Sequence, residues 1–280
     1  MGRISIRDIH NMKCRGKKIS AVTAYDYTSA QIVDAAGVPL VLVGDSLGMV
    51  TLGYEDTIPV TMEEMLHHSR AVVKGTNKAL VILDLPFLSY QINTGEALQN
   101  AGRALQEGGV QAVKVEGGQS IVSTVKRIVE IGIPVMGHIG LMPQSVHALG
   151  GYRVRGQGKE EALELVHDAL ALQEAGVFAV VLELVPTPLS QLITKRLDIP
   201  TIGIGAGPHC DGQVQVFHDI LGLYTDFVPK HTRRYSEGFK VFKSALETFT
   251  EDINSNSFPS EDEGFSMDES VIQEIEDILA

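Results

Sequence analysis

The chain has 280 residues, 44% of them hydrophobic, a formal net charge of −12 and only two cysteines, Cys14 and Cys210. That length suits one large core, since α/β barrels of about 250 residues commonly stay single domains. Two cysteines exclude a disulfide framework and fit a reducing cytoplasm; the lack of a long apolar run, an apolar leader or a basic, aromatic-interleaved stripe argues against membrane and nucleic acid.

In chain order, Ile6 to Met12 reads as a short helix placed to plug the bottom of a barrel. Apolar runs follow at 19–25, 39–44, 79–85, 111–116, 134–139, 178–184 and 200–204, with an eighth at 225–229, each separated by a helical stretch. Eight strands alternating with helices predict an α/β protein, a (β/α)8 TIM barrel, over residues 1–253. Gly37, Gly109, Gly132 and Gly176 each stand just before a strand, where a helix end wants positive φ. Thr61 and Glu64 have capping-box spacing. After Thr232 the periodicity of Tyr235, Phe239, Phe242, Leu246 and Phe249 predicts a helix of about 20 residues with one apolar face. No Lys or Arg follows Lys243, and residues 254–280 hold eight acids; subtracting them leaves −4 for residues 1–253. This tail reads as linker followed by a short acidic amphipathic segment, Val271 to Leu279, more plausibly solvated than partner-bound.

Four apolar runs end on an acid: VLVGDS at Asp45, VILDLP at Asp84, VKVEGG at Glu116 and VVLELVP at Glu183. Strands of that composition are buried on both faces, and the carboxyl ends of parallel strands are where such sheets carry chemistry. Steps of 39, 32 and 67 residues correspond to one, one and two strand–helix units, so the acids share a rim. Each acid alone has an alternative role as a helix cap; three from consecutive units favour a hard divalent cation such as Mg²⁺. Lys114 shares a strand face with Glu116 and either neutralises it or binds an anionic substrate, two compatible roles. Glu183, between Val181, Leu182, Leu184 and Val185, is expected to be desolvated, the usual route to a general base, unless a neighbouring cation pairs with it.

The loop GHIGLMPQSVHALGGYRVRG is too rich in Gly, His and Arg to be a mere connector. Its His138 is placed to hydrogen-bond a developing oxyanion or to sit satisfied in the core. Gly203-Ile204-Gly205-Ala206-Gly207 lacks the residues of a phosphate loop, so close backbone packing is expected. His209-Cys210-Asp211 offers too few partners for zinc.

The strings GDSLGMVTLGYEDTIPVTMEEMLHH, AVKVEGG, GHIGLMPQS with GGYRVRG, and TIGIGAGPHCDGQ, in this order, resemble the ketopantoate (3-methyl-2-oxobutanoate) hydroxymethyltransferase family over about residues 2–250. Met142, Val115 and His231 depart from residues usual in that family, and none is an acid. The resemblance implies a phosphoenolpyruvate-mutase/isocitrate-lyase-like barrel, a cytoplasmic homodecamer. Its activity would move a one-carbon unit from 5,10-methylenetetrahydrofolate to 3-methyl-2-oxobutanoate through a Mg²⁺-stabilised enolate, giving ketopantoate for pantothenate synthesis. By matching motifs, Asp45, Asp84 and Glu116 would hold the metal, Asp45, Ser46, Asp84 and Lys114 would contact the keto acid, and Glu183 would be the base. A lyase or mutase of the same barrel type would want a Lys-Lys-Cys-Gly loop, which neither cysteine occupies. A catalytically dead metabolite-binding barrel would not need the intact acids, Lys114 and Glu183.

Overall fold

A computed structural model describes residues 2–280. Strands β1 (Ile19–Thr23), β2 (Leu40–Val43), β3 (Leu80–Asp84), β4 (Ala112–Glu116), β5 (Val135–Gly140), β6 (Ala179–Glu183), β7 (Thr201–Ile204) and β8 (Gly212–Gln215) pair in sequence order. All neighbours are parallel and β8 returns to β1, so the sheet is a closed barrel.

Side chains alternate across each strand, which splits the core in two. Inside the barrel pack Ile19, Leu40, Leu80, Ala112, Met136, Ala179 and Ile202. Outside it, Val41, Val81, Val113, Val135 and Val180 meet the helices. Burial of each Val, Leu, Ile or Met side chain among these contributes roughly 1.5–3 kcal/mol, so the apolar runs stabilise both layers at once. The inner layer is tight: the void among Ala21, Leu42, Met136 and Val214 is about 10 Å³, too small for a ligand.

Helix Ile6–Cys14 closes the amino-terminal end, as its sequence anticipated. Ser5 and Asp8 form its capping box, and Ile9, fully buried, joins the inner core. Arg3 ties the segment down by donating to the carbonyls of Thr76 and Ala79, and Lys13 pairs with Asp211 at 2.9 Å. The capping box at Thr61 is present at the start of helix Met62–Gly75. Gly37, Gly109, Gly132 and Gly176 have φ between 76° and 93°, the left-handed region that ends each preceding helix.

Seven expected strands lie within two residues of the observed ones, and the eighth does not. Residues 225–229 form no strand; β8 is Gly212–Gln215. A strand reading Gly-Gln-Val-Gln offers one apolar residue, Val214, to the barrel interior, so a search for Val/Ile/Leu runs passes over it. Pro229 lacks the N–H that a ladder needs, and Phe227 and Val228 are exposed. The consequence is functional: residues 216–231 are free to wall the barrel mouth.

The last long helix is Gly238–Asn254, so Tyr235 falls outside it. Phe239, Phe242, Leu246 and Phe249 do share a face, but that face is 48–66% exposed. An acidic helix, Glu269–Leu279, ends the chain and also buries nothing. Among the described residues no helix is long and apolar enough to cross a membrane.

Candidate active site

Alternation along β4 points Lys114 and Glu116 inward while Val113 and Val115 face the helices. Register then sets Asp84 beside Lys114, Glu116 beside His138, and Gly140 beside Glu183. Asp45, just past β2, completes the rim. Asp45, Ser46, Asp84, Lys114, Glu116, His138 and Glu183 all line one cavity of about 670 Å³ at the carboxyl ends of the strands. None of the four acids caps a helix: the residues in those positions after β2, β3 and β6 are Ser46, Asn93 and Pro186.

Lys114 is the hub. Its Nζ lies 3.1 Å from Asp84 Oδ1 and 3.2 Å from His138 Nδ1. Asp84 Oδ2 accepts the backbone N–H of Asp45 at 3.2 Å. Gly44 makes this approach feasible, because a Cβ there would stand 2.9 Å from Ser46 Oγ and 3.5 Å from Asp84 Oδ2. His138 bridges the rim, with Nδ1 3.5 Å from Glu116 Oε1 and Nε2 3.3 Å from Glu183 Oε2. Glu183 is therefore one side chain away from the other acids, closer than a position across the mouth.

Burial dominates the electrostatics. It pushes the carboxyl of Asp84 up to about 7, opposed by Lys114 and reinforced by Asp45. Asp45 and Glu116 are pushed up for the same first reason. Burial also works against the Lys114 ammonium, yet Asp84, Glu116 and Asp45 outweigh it and hold that group well above the lysine range. Burial and the Lys114 charge lower His138, so its imidazole is neutral near pH 7. With Nδ1 accepting from Lys114, the tautomer assigned by these contacts carries its proton on Nε2, toward Glu183.

Of the apolar neighbours of Glu183 in sequence, Val181 and Leu184 line the cavity with it, while Leu182 and Val185 pack in the outer core. Leu182 does so because adjacent strand residues face opposite sides. The Glu183 side chain is 16% exposed, against 3% for Glu116 and 4% for Asp84, and it opens to the cavity.

The chemistry of the cluster fits a hard divalent cation. Its donors are oxygens, its carboxyls outnumber Lys114, and Asp84 Oδ1 has no hydrogen-bond partner because Lys114 approaches it off-angle. Among the described residues no three acids, histidines or cysteines are gathered closely enough to hold a metal ion as the side chains stand; Lys114 and Gln144 lie between the carboxylates.

Gln144 is the main residue that sequence reasoning missed, although it lies within the GHIGLMPQS string. Its Nε2 donates to Asp45 Oδ2 at 2.8 Å and to the Leu85 carbonyl at 3.0 Å, while its backbone N–H donates to Glu116 Oε2 at 3.1 Å. Tyr90 fixes the amide by donating to its Oε1 at 2.9 Å and also accepts the Glu116 N–H. Tyr25, which follows β1, places its hydroxyl 2.8 Å from Ser46 Oγ. No signal in the sequence separated these polar residues from ordinary loop positions. At the Gly203–Gly207 segment close packing is what the structure has: a Cβ on Gly205 would lie 2.5 Å from Leu184, and one on Gly207 2.3 Å from Thr187 Oγ1.

Solved structures with this barrel include phosphonopyruvate hydrolase in complex with oxalate and Mg²⁺, at a TM-score of 0.61 and 12% identity, covering 97% of this chain and 95% of that one. 2,3-Dimethylmalate lyase, a PEP mutase/isocitrate lyase superfamily member, aligns at a TM-score of 0.56 and 15% identity over 97% and 98% of the two chains. At those identities the likeness is one of fold. In sequence, 3-methyl-2-oxobutanoate hydroxymethyltransferase of Chloroflexus aurantiacus is 59% identical over 266 residues, 95% of this chain and 94% of the relative. The protein of that name from Dehalococcoides mccartyi is 53% identical over 273 residues, 98% of each. The profile of ketopantoate hydroxymethyltransferase matches residues 3–261, and the chain belongs to that family.

Proposed function

We propose that this chain is a divalent-metal-dependent enzyme that transfers a hydroxymethyl group from 5,10-methylenetetrahydrofolate to 3-methyl-2-oxobutanoate, producing 2-dehydropantoate. The observation that carries the reading is the convergence of Asp45, Asp84, Glu116, Lys114 and Glu183 on one cavity at the strand ends. In this reading Asp45, Asp84 and Glu116 hold the cation, taken to be Mg²⁺. When bound, the cation polarises the oxygens of a 2-oxo acid as a Lewis acid.

The residues divide the remaining work. Lys114 supplies the positive charge for the substrate carboxylate, and Ser46, held by Tyr25, offers a hydroxyl at the same edge. Glu183 removes the proton from the branched carbon, with His138 Nε2 facing its carboxylate at 3.3 Å. Water opens the methylene bridge of the folate to tetrahydrofolate and formaldehyde. The enolate carbon adds to formaldehyde, forming the carbon–carbon bond, and the new alkoxide takes back the proton from Glu183. No oxidant or reductant is needed.

The row of exposed apolar residues on Gly238–Asn254 supports self-association, and the family resemblance extends the proposal to a cytoplasmic homodecamer. The barrel and the acidic tail beyond residue 253 are proposed as separate units.

The direct test is tetrahydrofolate formation from 5,10-methylenetetrahydrofolate and 3-methyl-2-oxobutanoate, with and without exhaustive chelation. Product formation that stops on chelation and returns with Mg²⁺ is expected; undiminished turnover after chelation refutes the metal assignment.

A second outcome follows from the raised carboxyls. Protons compete with the cation for Asp45, Asp84 and Glu116, so Mg²⁺ binds less tightly below the Asp84 value of about 7 than above it. At a hundredfold excess over its Kd at pH 8, Mg²⁺ adds about 2.7 kcal/mol of stability, several degrees in Tm, and clearly less at pH 5.5. Equal increments at the two pH values, read by thermal unfolding, would contradict the assignment.

A further inference from the structure

The acids occupy only one side of the cavity. A volume of about 670 Å³ lies in the range of pockets that enclose drug-sized ligands, about 300–1,000 Å³, whereas the keto acid is a small five-carbon molecule. The opposite side is built by the segment after β8, where Val216, Tyr224, Phe227 and Pro229 present apolar and aromatic surface and Lys230 and His231 add polar groups. Asp219 lies among them, 9% exposed and lining the same cavity.

This carboxylate has no assigned work. Arg234 is the charge that acts on it, while the guanidinium itself donates to the Tyr224 carbonyl at 2.7 Å. Among the described residues no hydrogen bond reaches the Asp219 carboxylate from backbone or side chain; burial pushes it up to about 6, leaving it largely ionised at neutral pH. A buried acceptor pair facing a cavity carries a desolvation cost until donors arrive. Its position is fixed. The N–H of Phe217 donates to Thr23 Oγ1 at 3.0 Å, which pins the turn of helix Phe217–Ile220 to the end of β1. The N–H of Leu223 closes the following loop on the His218 carbonyl at 2.8 Å.

The ligand must therefore bring two adjacent N–H donors on a flat apolar body. A 2-oxo acid has none, and a cation is served by the acids on the other side. The 2-amino-4-oxopyrimidine edge of a pterin has them, a ring N–H beside an exocyclic amino group, spaced for the two oxygens of one carboxylate. Its faces suit stacking on Tyr224 and Phe227. We infer that Asp219 anchors the pterin ring of the one-carbon donor by accepting from its ring N–H and 2-amino group, with the methylene bridge directed toward the acid cluster. This rests on the folate donor proposed above, and Asp219 is a binding residue that does not touch the reacting carbon.

The test compares Asp219→Asn with wild type in three assays. Replacing one acceptor oxygen by NH₂ is expected to lower kcat/KM for 5,10-methylenetetrahydrofolate about 10- to 100-fold, through KM. Deuterium exchange into the keto acid, which involves no pterin, should continue, as should hydroxymethylation supplied with free formaldehyde. In wild type, the 2-desamino-2-methyl analogue of the donor should lose a similar factor, and Asp219→Asn should discriminate against it no further. An unchanged folate KM in the variant overturns the inference. So does wild type that uses the desamino analogue as well as the parent, a measurement that does not depend on the variant folding. Wild type that exchanges the keto-acid proton yet forms no tetrahydrofolate rejects the donor itself, a distinct result that also overturns the role given to Asp219.

Discussion

Glu183→Gln abolishes exchange of solvent deuterium into the branched carbon of 3-methyl-2-oxobutanoate. Glutamine keeps the size of the side chain at the inward end of β6 and leaves a carbonyl oxygen able to face His138 Nε2. What it loses is the ability to take a proton. A positioned general base contributes typically 10²- to 10⁴-fold, so a fall of about that size is expected in both exchange and turnover. Because Glu183 opens to the cavity and its carboxylate faces the neutral imidazole of His138 at 3.3 Å, the fold and the affinity for the keto acid should change little. Proton NMR in heavy water, with Mg²⁺ present, follows the exchange directly. Exchange retained near the wild-type rate would remove Glu183 as the base and leave His138 as the nearest alternative.

Lys114→Met is expected to cost about 3–5 kcal/mol of stability in the metal-free protein, the usual result of removing one partner from a buried charged pair. Among the described residues Lys114 is the cation within reach of Asp84, Asp45 and Glu116, and both it and Asp84 are almost fully buried. Methionine fills much of the same volume, so the loss is electrostatic. Its sign with pH follows from linkage. Each of these carboxyls is already raised in the folded state, and losing the ammonium raises them further. A group with a raised folded pKa binds its proton more readily when folded, so stability falls as pH climbs from the unfolded value near 4 through the folded one. The deficit of Lys114→Met against wild type should therefore be larger at pH 8 than at pH 5.5. Mg²⁺ should restore part of it, because it returns positive charge to the same oxygens, while keto-acid affinity stays low for want of the ammonium. Thermal unfolding at both pH values, with and without Mg²⁺, reads these effects; a deficit independent of pH and metal would mean that Lys114 matters only by packing.

The chemistry of the rim was legible in the chain because two periodicities expose it. Runs of Val, Leu and Ile that end on Asp or Glu mark buried parallel strands and their carboxyl ends, and the spacing of those ends counts the strand–helix units. Alternation placed Lys114 with Glu116, and both point inward. At Glu183 the same alternation divides its neighbours, Val181 lining the cavity and Leu182 facing the helices. At β8 the apolar criterion itself failed. Gln213 and Gln215 flank the single core residue Val214 and spend their amides on the Gly207 carbonyl and on Thr232.

What the sequence determined by itself, then, is the barrel, its plug helix, the capping box at Thr61 and the acids that end its strands, all consequences of local pattern. Only tertiary structure decided the rest. Gln144 reaches Asp45 across 99 positions of chain, His138 joins Glu116 to Glu183, and Asp219 looks across the mouth from the short helix that follows β8. These residues owe their partners to barrel closure, which brings distant loops together. Hydrogen bonds and desolvation depend on that final proximity, for which a polar residue in a loop carries no periodic mark.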